Sequence, residues 1–176
     1  MVTGKPLLTV NQIQDKVIEL AGRISTDYAG KDLVVISILK GAFMFTSDLI
    51  RHIRVPLTID FITAKSYQKD KSTGDVKILC DIKEDVRGRD VLLVEDIIDS
   101  GITLNYIRER FLQMSPRSVK ICGLLDKKER RIVDVPIDYR GFEIPDVFVV
   151  GYGLDYDNKY RNLPYVAIFK KTSEEA

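Results

Sequence analysis

Apolar residues recur along this chain in two rhythms. Ile13, Val17, Leu20, Ile24 and Tyr28 fall at helical spacing, with Thr9 or Asn11 placed to cap the first turn and Gly30 to stop the last. Residues 33–39 form a short apolar run rich in Val and Ile, which reads as a buried strand. Lys40-Gly41 interrupts that run. Residues 42–53 then read as a helix ending ahead of Pro56, and the β-branched residues 57–63 as a strand.

The pattern turns polar over residues 65–75 and resumes with strands at 76–80 and 91–94. A polar stretch of that length between two strands predicts a mobile flap, because it buries too little to be held rigidly. Leu104, Ile107, Phe111 and Met114 share one face of a helix predicted over 103–114, which Pro116 ends. A buried strand at 119–125 leads into the charged run Asp126-Lys127-Lys128-Glu129-Arg130-Arg131, and strand-like segments at 147–150 and 165–169 close the chain. Strands alternating with helices predict a parallel α/β sheet, whose ligands sit at the carboxyl ends of the strands.

Composition narrows the class. The 176 residues suit one domain with a core of its own, and 45% apolar and 30% charged residues are globular proportions. A net charge of +1 argues against binding nucleic acid by bulk electrostatics. No apolar run is long enough to cross a bilayer, and Met1-Val2-Thr3-Gly4-Lys5-Pro6 lacks the apolar centre of a signal peptide. A cytoplasmic location is therefore expected. Cys80 and Cys122 both lie in apolar, strand-like contexts, so both are expected to be buried, inert thiols.

The chemistry concentrates in residues 91–103. An apolar strand runs into Glu95 and Asp96, then Ile97-Ile98, then Asp99-Ser100-Gly101-Ile102-Thr103 and a helix. Gly101 permits the positive φ that lets successive amides converge, Ser100 and Thr103 add hydroxyls, and a helix N-terminus favours an anion. Adjacent carboxylates can accept hydrogen bonds from a vicinal diol or hold a metal. Taken together, this is a cradle for a sugar phosphate.

This segment resembles the ribose-phosphate binding motif of type I phosphoribosyltransferases, and Asp99 narrows the resemblance to the 6-oxopurine (hypoxanthine-guanine) branch. The resemblance covers nearly the whole chain. Leu39-Lys40-Gly41-Ala42-Phe43 is similar to the family's pyrophosphate loop, whose Leu-Lys peptide is commonly cis. Lys65-Ser66-Tyr67 through Ser72-Thr73-Gly74 is similar to its flexible loop, with the Ser66-Tyr67 pair folding over the site. Lys127 matches the lysine that donates to O6 of the base. Phe148 matches the stacking ring, Val149 the backbone that reads the purine edge, Asp155 a magnesium ligand, and Arg161 an arginine on pyrophosphate. Ile102 stands where mammalian members have Lys, a change that a turn working through backbone amides should tolerate.

The resemblance implies a twisted, mostly parallel sheet flanked by helices, in a single domain of residues 1–176. Its core would span about 9–150, its hood the N-terminal segment and about 151–176, and a flexible antiparallel hairpin would complete it. It implies transfer of 5-phosphoribosyl from 5-phosphoribosyl 1-pyrophosphate to N9 of hypoxanthine or guanine, giving IMP or GMP and pyrophosphate. Asp99 would act as acid/base at N7. Two Mg2+ ions are expected, one through Asp155 and pyrophosphate, one near the ribose hydroxyls with Glu95 and Asp96. A homodimer or homotetramer is expected, with no nucleic acid and no membrane as partner. Two alternatives remain within the fold: a nucleic-acid-binding regulator, which would need a basic face, and a xanthine-preferring enzyme. A receiver domain also clusters acids at strand ends, but it needs no pyrophosphate loop and ranks last.

Overall fold

The computed structural model describes residues 5–67 and 75–170. Thr9 caps helix α1 (Val10–Asp27) through a reciprocal box with Gln12, whose side chain in turn accepts from the Thr9 amide. Strand β1 (Leu33–Leu39) follows, then α2 (Phe43–His52), β2 (Leu57–Tyr67) and β3 (Asp75–Cys80). The second half runs through β4 (Asp90–Ile98), α3 (Ile102–Gln113), β5 (Ser118–Asp126), a single 3-10 turn at Lys128–Arg130, and β6 (Tyr139–Glu143). Two short strands, β7 (Val149–Val150) and β8 (Ala167–Ile168), complete it.

The main sheet has the order β3-β2-β1-β4-β5-β6, antiparallel at β2-β3 and parallel elsewhere. Along β1, Leu33 and Val35 face a core shared with α1 and α2, whereas Val34, Ile36 and Ile38 face the core under α3. Both faces are thus covered, which is why these strands are apolar without alternation. Successive strands leave β1 in opposite directions, to β2 on one side and β4 on the other. The carboxyl ends of β1 and β4 consequently open a crevice where the strand order reverses. Antiparallel β7 and β8 form a separate two-stranded ladder, and Leu8 bridges to Val166.

Four expectations need correction. Strand β4 does not stop before the acids but continues through Ile98, because β5 stays paired alongside it (Glu95 opposite Gly123, Ile97 opposite Leu125). The β6 strand was not foreseen, since its mixed Tyr-Arg-Gly-Phe-Glu composition reflects an edge position with one exposed side. The strand-like stretch 165–169 shortens to β8, and 147–150 to β7. Cys80 is exposed rather than buried, because β3 is the other edge of the sheet; Cys122, in β5 inside the sheet, is buried as expected. Of the expected flap at 65–75, residues 68–74 and the side chains of Ser66, Tyr67 and Asp75 lie outside the described residues, while the backbone of 65–67 continues β2 and that of Asp75 opens β3, because the two strands pair antiparallel as far as Tyr67 and Asp75. No helix among the described residues is long and apolar enough to cross a membrane.

Candidate functional site

Three strand ends meet at the crevice. The end of β1 supplies Lys40 and Gly41 after a cis Leu39–Lys40 peptide, the end of β4 supplies residues 95–103, and the end of β5 supplies Lys127. Two cavities open there. One, of about 230 Å3, is lined by Lys40, Gly41, Glu95, Ser100, Gly101 and Thr103 among others. The other, of about 570 Å3, is lined by Asp99, Lys127, Phe148, Val149, Asp155 and Arg161. Lys40, Gly41, Ile97 and Asp99 line both, so the two cavities are halves of one cleft.

The first half is made of main chain. Gly101 has φ +82° and precedes α3, which begins without a side-chain cap hydrogen bond. An added Cβ at Gly101 would run into the Val133 carbonyl, so the position needs glycine for both conformation and space. The carbonyls of this turn are taken up from behind. Ile98 O accepts from Lys127 N–H (2.9 Å), Asp99 O from Arg131 Nε (3.0 Å), and Ser100 O from the amides of Ile132 and Val133 (2.9 and 3.0 Å). Arg131 is itself held on the buried Asp126. With its carbonyls engaged behind, the turn has its first helical amides and dipole available at the cleft for an anion. Ser100 Oγ accepts the Ile102 amide (3.4 Å).

Glu95 and Asp96 sit where β4 meets this turn. Asp96 is only 7% exposed and accepts the Ile97 amide (2.9 Å). Burial, and then the neighbouring Asp96 charge, push the Glu95 carboxyl well above the usual carboxylate range. Burial also raises Asp96, opposed by its hydrogen bonds with Glu95 and the backbone. A Cβ on Gly41 would collide with the Asp96 carboxylate, so the loop after β1 packs directly on this acid pair. Two adjacent, desolvated carboxylates are an oxygen donor set suited to a hard cation, whose charge would relieve their mutual repulsion. Among the described residues no three acidic, His or Cys side chains converge as a complete cage. A magnesium ion would therefore need substrate oxygens as well, which is how that ion is commonly held.

The second half is made of side chains. Lys127 is 7% exposed, and its Nζ lies 3.6 Å from Asp146. Asp146 also lies 3.6 Å from Arg130, and Arg130 Nε donates to Asp99 at 3.0 Å. Phe148 is 52% exposed, an unusual state for an aromatic ring beside an apolar cluster, and it packs edge-on against Tyr156 (5.8 Å) and Phe169 (6.1 Å). Arg161 donates to Gly153 O and pairs with Asp155, both at 2.7 Å, while Asp155 also accepts the Asn158 amide (2.8 Å). Tyr152 donates to Asp48 of α2 (2.6 Å), tying this segment to the layer beneath.

All the sequence-derived candidates with described side chains lie at this cleft, with Ile102 at its helical rim. Arg130 and Asp146 were not foreseen. Both are charged residues in polar stretches, a composition that reads as solvated surface, and nothing local marks them. The one available signal was their placement beside predicted strand ends.

A sequence model of the phosphoribosyl transferase domain matches residues 7–157. The chain is 52% identical over 167 residues to the hypoxanthine phosphoribosyltransferase of Salmonella typhimurium, covering 93% of this chain and 94% of that protein. It is 46% identical over 173 residues to the hypoxanthine-guanine phosphoribosyltransferase of Bacillus subtilis, covering 98% and 96%. A crystal structure of a hypoxanthine-guanine phosphoribosyltransferase from Bacillus anthracis superposes with a TM-score of 0.93 at 49% identity, covering 97% of this chain and all of that one.

Proposed function

Because the chain belongs to the phosphoribosyltransferase family, we propose that it is the purine-salvage member that joins hypoxanthine or guanine to ribose 5-phosphate. The donor is 5-phosphoribosyl 1-pyrophosphate and the products are IMP or GMP with pyrophosphate. The observation that carries this reading is one cavity lined by Asp99, Lys127 and Phe148, continuous with the anion turn at residues 100–103. A planar base, a 6-oxo acceptor and a phosphorylated sugar each meet a complementary surface there.

In this reading the 5′-phosphate rests on the amides of residues 100–103, and Glu95 and Asp96 hold the ribose hydroxyls. Phe148 stacks on the base, beside the backbone of Val149. Lys127 donates to the 6-oxo group, and an adenine in its place would set a donor against a donor. As the bond from C1′ to pyrophosphate oxygen breaks and the bond from C1′ to N9 forms, Asp99 takes the proton released from N7. Positive charge developing on the sugar is stabilised by the nearby carboxylates, and Lys40 and Arg161 offset the charge of the departing polyanion. Magnesium, when bound, supplies further positive charge to the pyrophosphate. Asp155 would hold one such ion, and Glu95 with Asp96 a second through water. We expect the protein to act in the cytoplasm as a homodimer or homotetramer.

The test is direct. Purified protein with the ribose donor and magnesium is assayed in parallel against hypoxanthine, guanine, xanthine and adenine. Turnover of the first two with adenine nearly inert is expected; adenine turnover comparable with hypoxanthine would overturn the assignment.

A further inference from the structure

Four side chains of alternating charge run along the wall of the larger cavity: Asp99, Arg130, Asp146 and Lys127. Each neighbouring pair is in ionic contact, at 3.0, 3.6 and 3.6 Å. The two ends of this chain are the residues read above as meeting N7 and the 6-oxo group of the base. The two middle residues have no role in that reading. We propose that the Arg130–Asp146 pair is a positioning and specificity-determining device: Asp146 holds the Lys127 ammonium at the 6-oxo side, Arg130 holds the Asp99 carboxylate at the N7 side, and their contact sets the spacing between the two.

The long, flexible Lys127 ammonium, only 7% exposed, needs a carboxylate to offset the cost of burying its charge and to hold it in place, and among the described residues Asp146 lies within ionic reach. Asp146 is anchored in turn, because Arg130 shares it. Arg130 is a planar fork, so it can face two carboxylates at once from one rigid group. Its Nε is on Asp99 and its Nη1 on Asp146, and the separation of the two carboxylates follows from the guanidinium geometry. The backbone supports the same arrangement. Lys127 N–H is bonded to Ile98 O, Arg130 N–H closes the 3-10 turn on Lys127 O, and the acids come from two other strand ends. A base entering this wall meets a donor and an acceptor already spaced for its 6-oxo and N7 edge, with little side-chain ordering left to do.

This inference rests on the 6-oxopurine reading, and the test separates the two. Asp146→Asn keeps the shape of a half-exposed side chain and removes its charge. The expected result is a rise of about 10-fold in KM for hypoxanthine, the loss of one oriented charge-assisted hydrogen bond, with kcat and the donor KM within about 3-fold of wild type. Asp146→Glu should restore most of the loss. Arg130→Gln should show the opposite split, lowering kcat about 10-fold through an unheld Asp99 while moving base KM less. In a double-mutant cycle, Asp146→Asn should cost under about 2-fold once Lys127 is Ala, since its effect passes through that lysine. Arg130→Gln carries the test by itself if the Asp146 variants fail to fold. Unmoved base KM in Asp146→Asn, additive costs in the cycle, or an unmoved kcat in Arg130→Gln overturns the proposal while leaving the purine reading intact. A wild-type protein that does not turn over hypoxanthine overturns both.

Discussion

Residues 100–103 line the smaller cavity with a turn and the start of a helix, whereas the larger cavity is lined by charges carried on Asp99, Lys127, Arg130 and Asp146. The first surface is contiguous in the chain and depends on one φ value and a set of carbonyls bonded from behind. The second is assembled from three strand ends, and each member is oriented by the next. A surface of the first kind is expected to accept any suitably placed phosphate and to tolerate side-chain change, as at Ile102. A surface of the second kind is expected to read one edge of one class of base and to fail when any link is cut.

That contrast can be broken in a graded series. Replacing Asp99 by Asn leaves size unchanged and removes the proton acceptor, so kcat should fall by about 10²–10⁴-fold with donor KM little moved. Steady-state kinetics with an unchanged kcat would take Asp99 out of the reaction. Gly101→Ala attacks the other wall at its weakest point, combining a positive φ with a clash on Val133 O. A loss on the order of 10²-fold in kcat/KM for the donor is expected, and near-normal kinetics would show that the turn is not held by backbone shape.

Lys127→Ala should raise base KM by about 10- to 150-fold, the worth of a hydrogen bond to a charged donor, while donor KM stays put. Equal shifts for donor and base would mean that the two walls are not separate. Ser100→Ala should cost about 10-fold or less in donor KM, because the hydroxyl adds one contact to a surface built mainly of amides. A loss as large as that of Gly101→Ala would shift the weight from backbone to side chain.

The smallest effect concerns stability at the junction of the walls. Burial raises the Glu95 carboxyl above its unfolded value, so the folded chain keeps a proton that the unfolded chain releases. Stability from this group is fully present below the ordinary Glu value of about 4.3 and declines as pH rises through the elevated native value. Glu95→Gln removes that decline. Thermal unfolding near neutral pH should move up by about 2–4 °C for about 1 kcal/mol, with little difference from wild type near pH 4. A lower Tm at pH 7 would show that the carboxylate is stabilised in the fold rather than strained by it.

The pattern of apolar positions places α1, α2, α3, β1 and β5 within about two residues, because burial on a helix face or inside a two-sided sheet writes its own period into the chain, whereas β2 and β4 each run four residues past their expected ends. The turn at residues 100–103 is equally legible, since its positive φ and its helix start are set within a few positions of Gly101, although the bonds to its carbonyls come from residues 127–133. The edge strand β6, the exposure of Cys80 and the continuation of β4 past its acids are not legible in this way. They depend on which neighbour each strand finds across the sheet.

The same distinction separates the two walls of the cleft. Local chemistry along one stretch of chain was enough to specify a turn with a left-handed glycine at a helix N-terminus and the acids at its side, because conformation, helix dipole and capping act over a turn or less. Whether Lys127, Arg130, Asp146 and Asp99 are four solvated charges or one ordered wall was settled by the folding of β4 and β5 side by side and the return of the chain toward β7. Ionic contact decays over a few ångströms, and only packing brings residues 99, 127, 130 and 146 within that range.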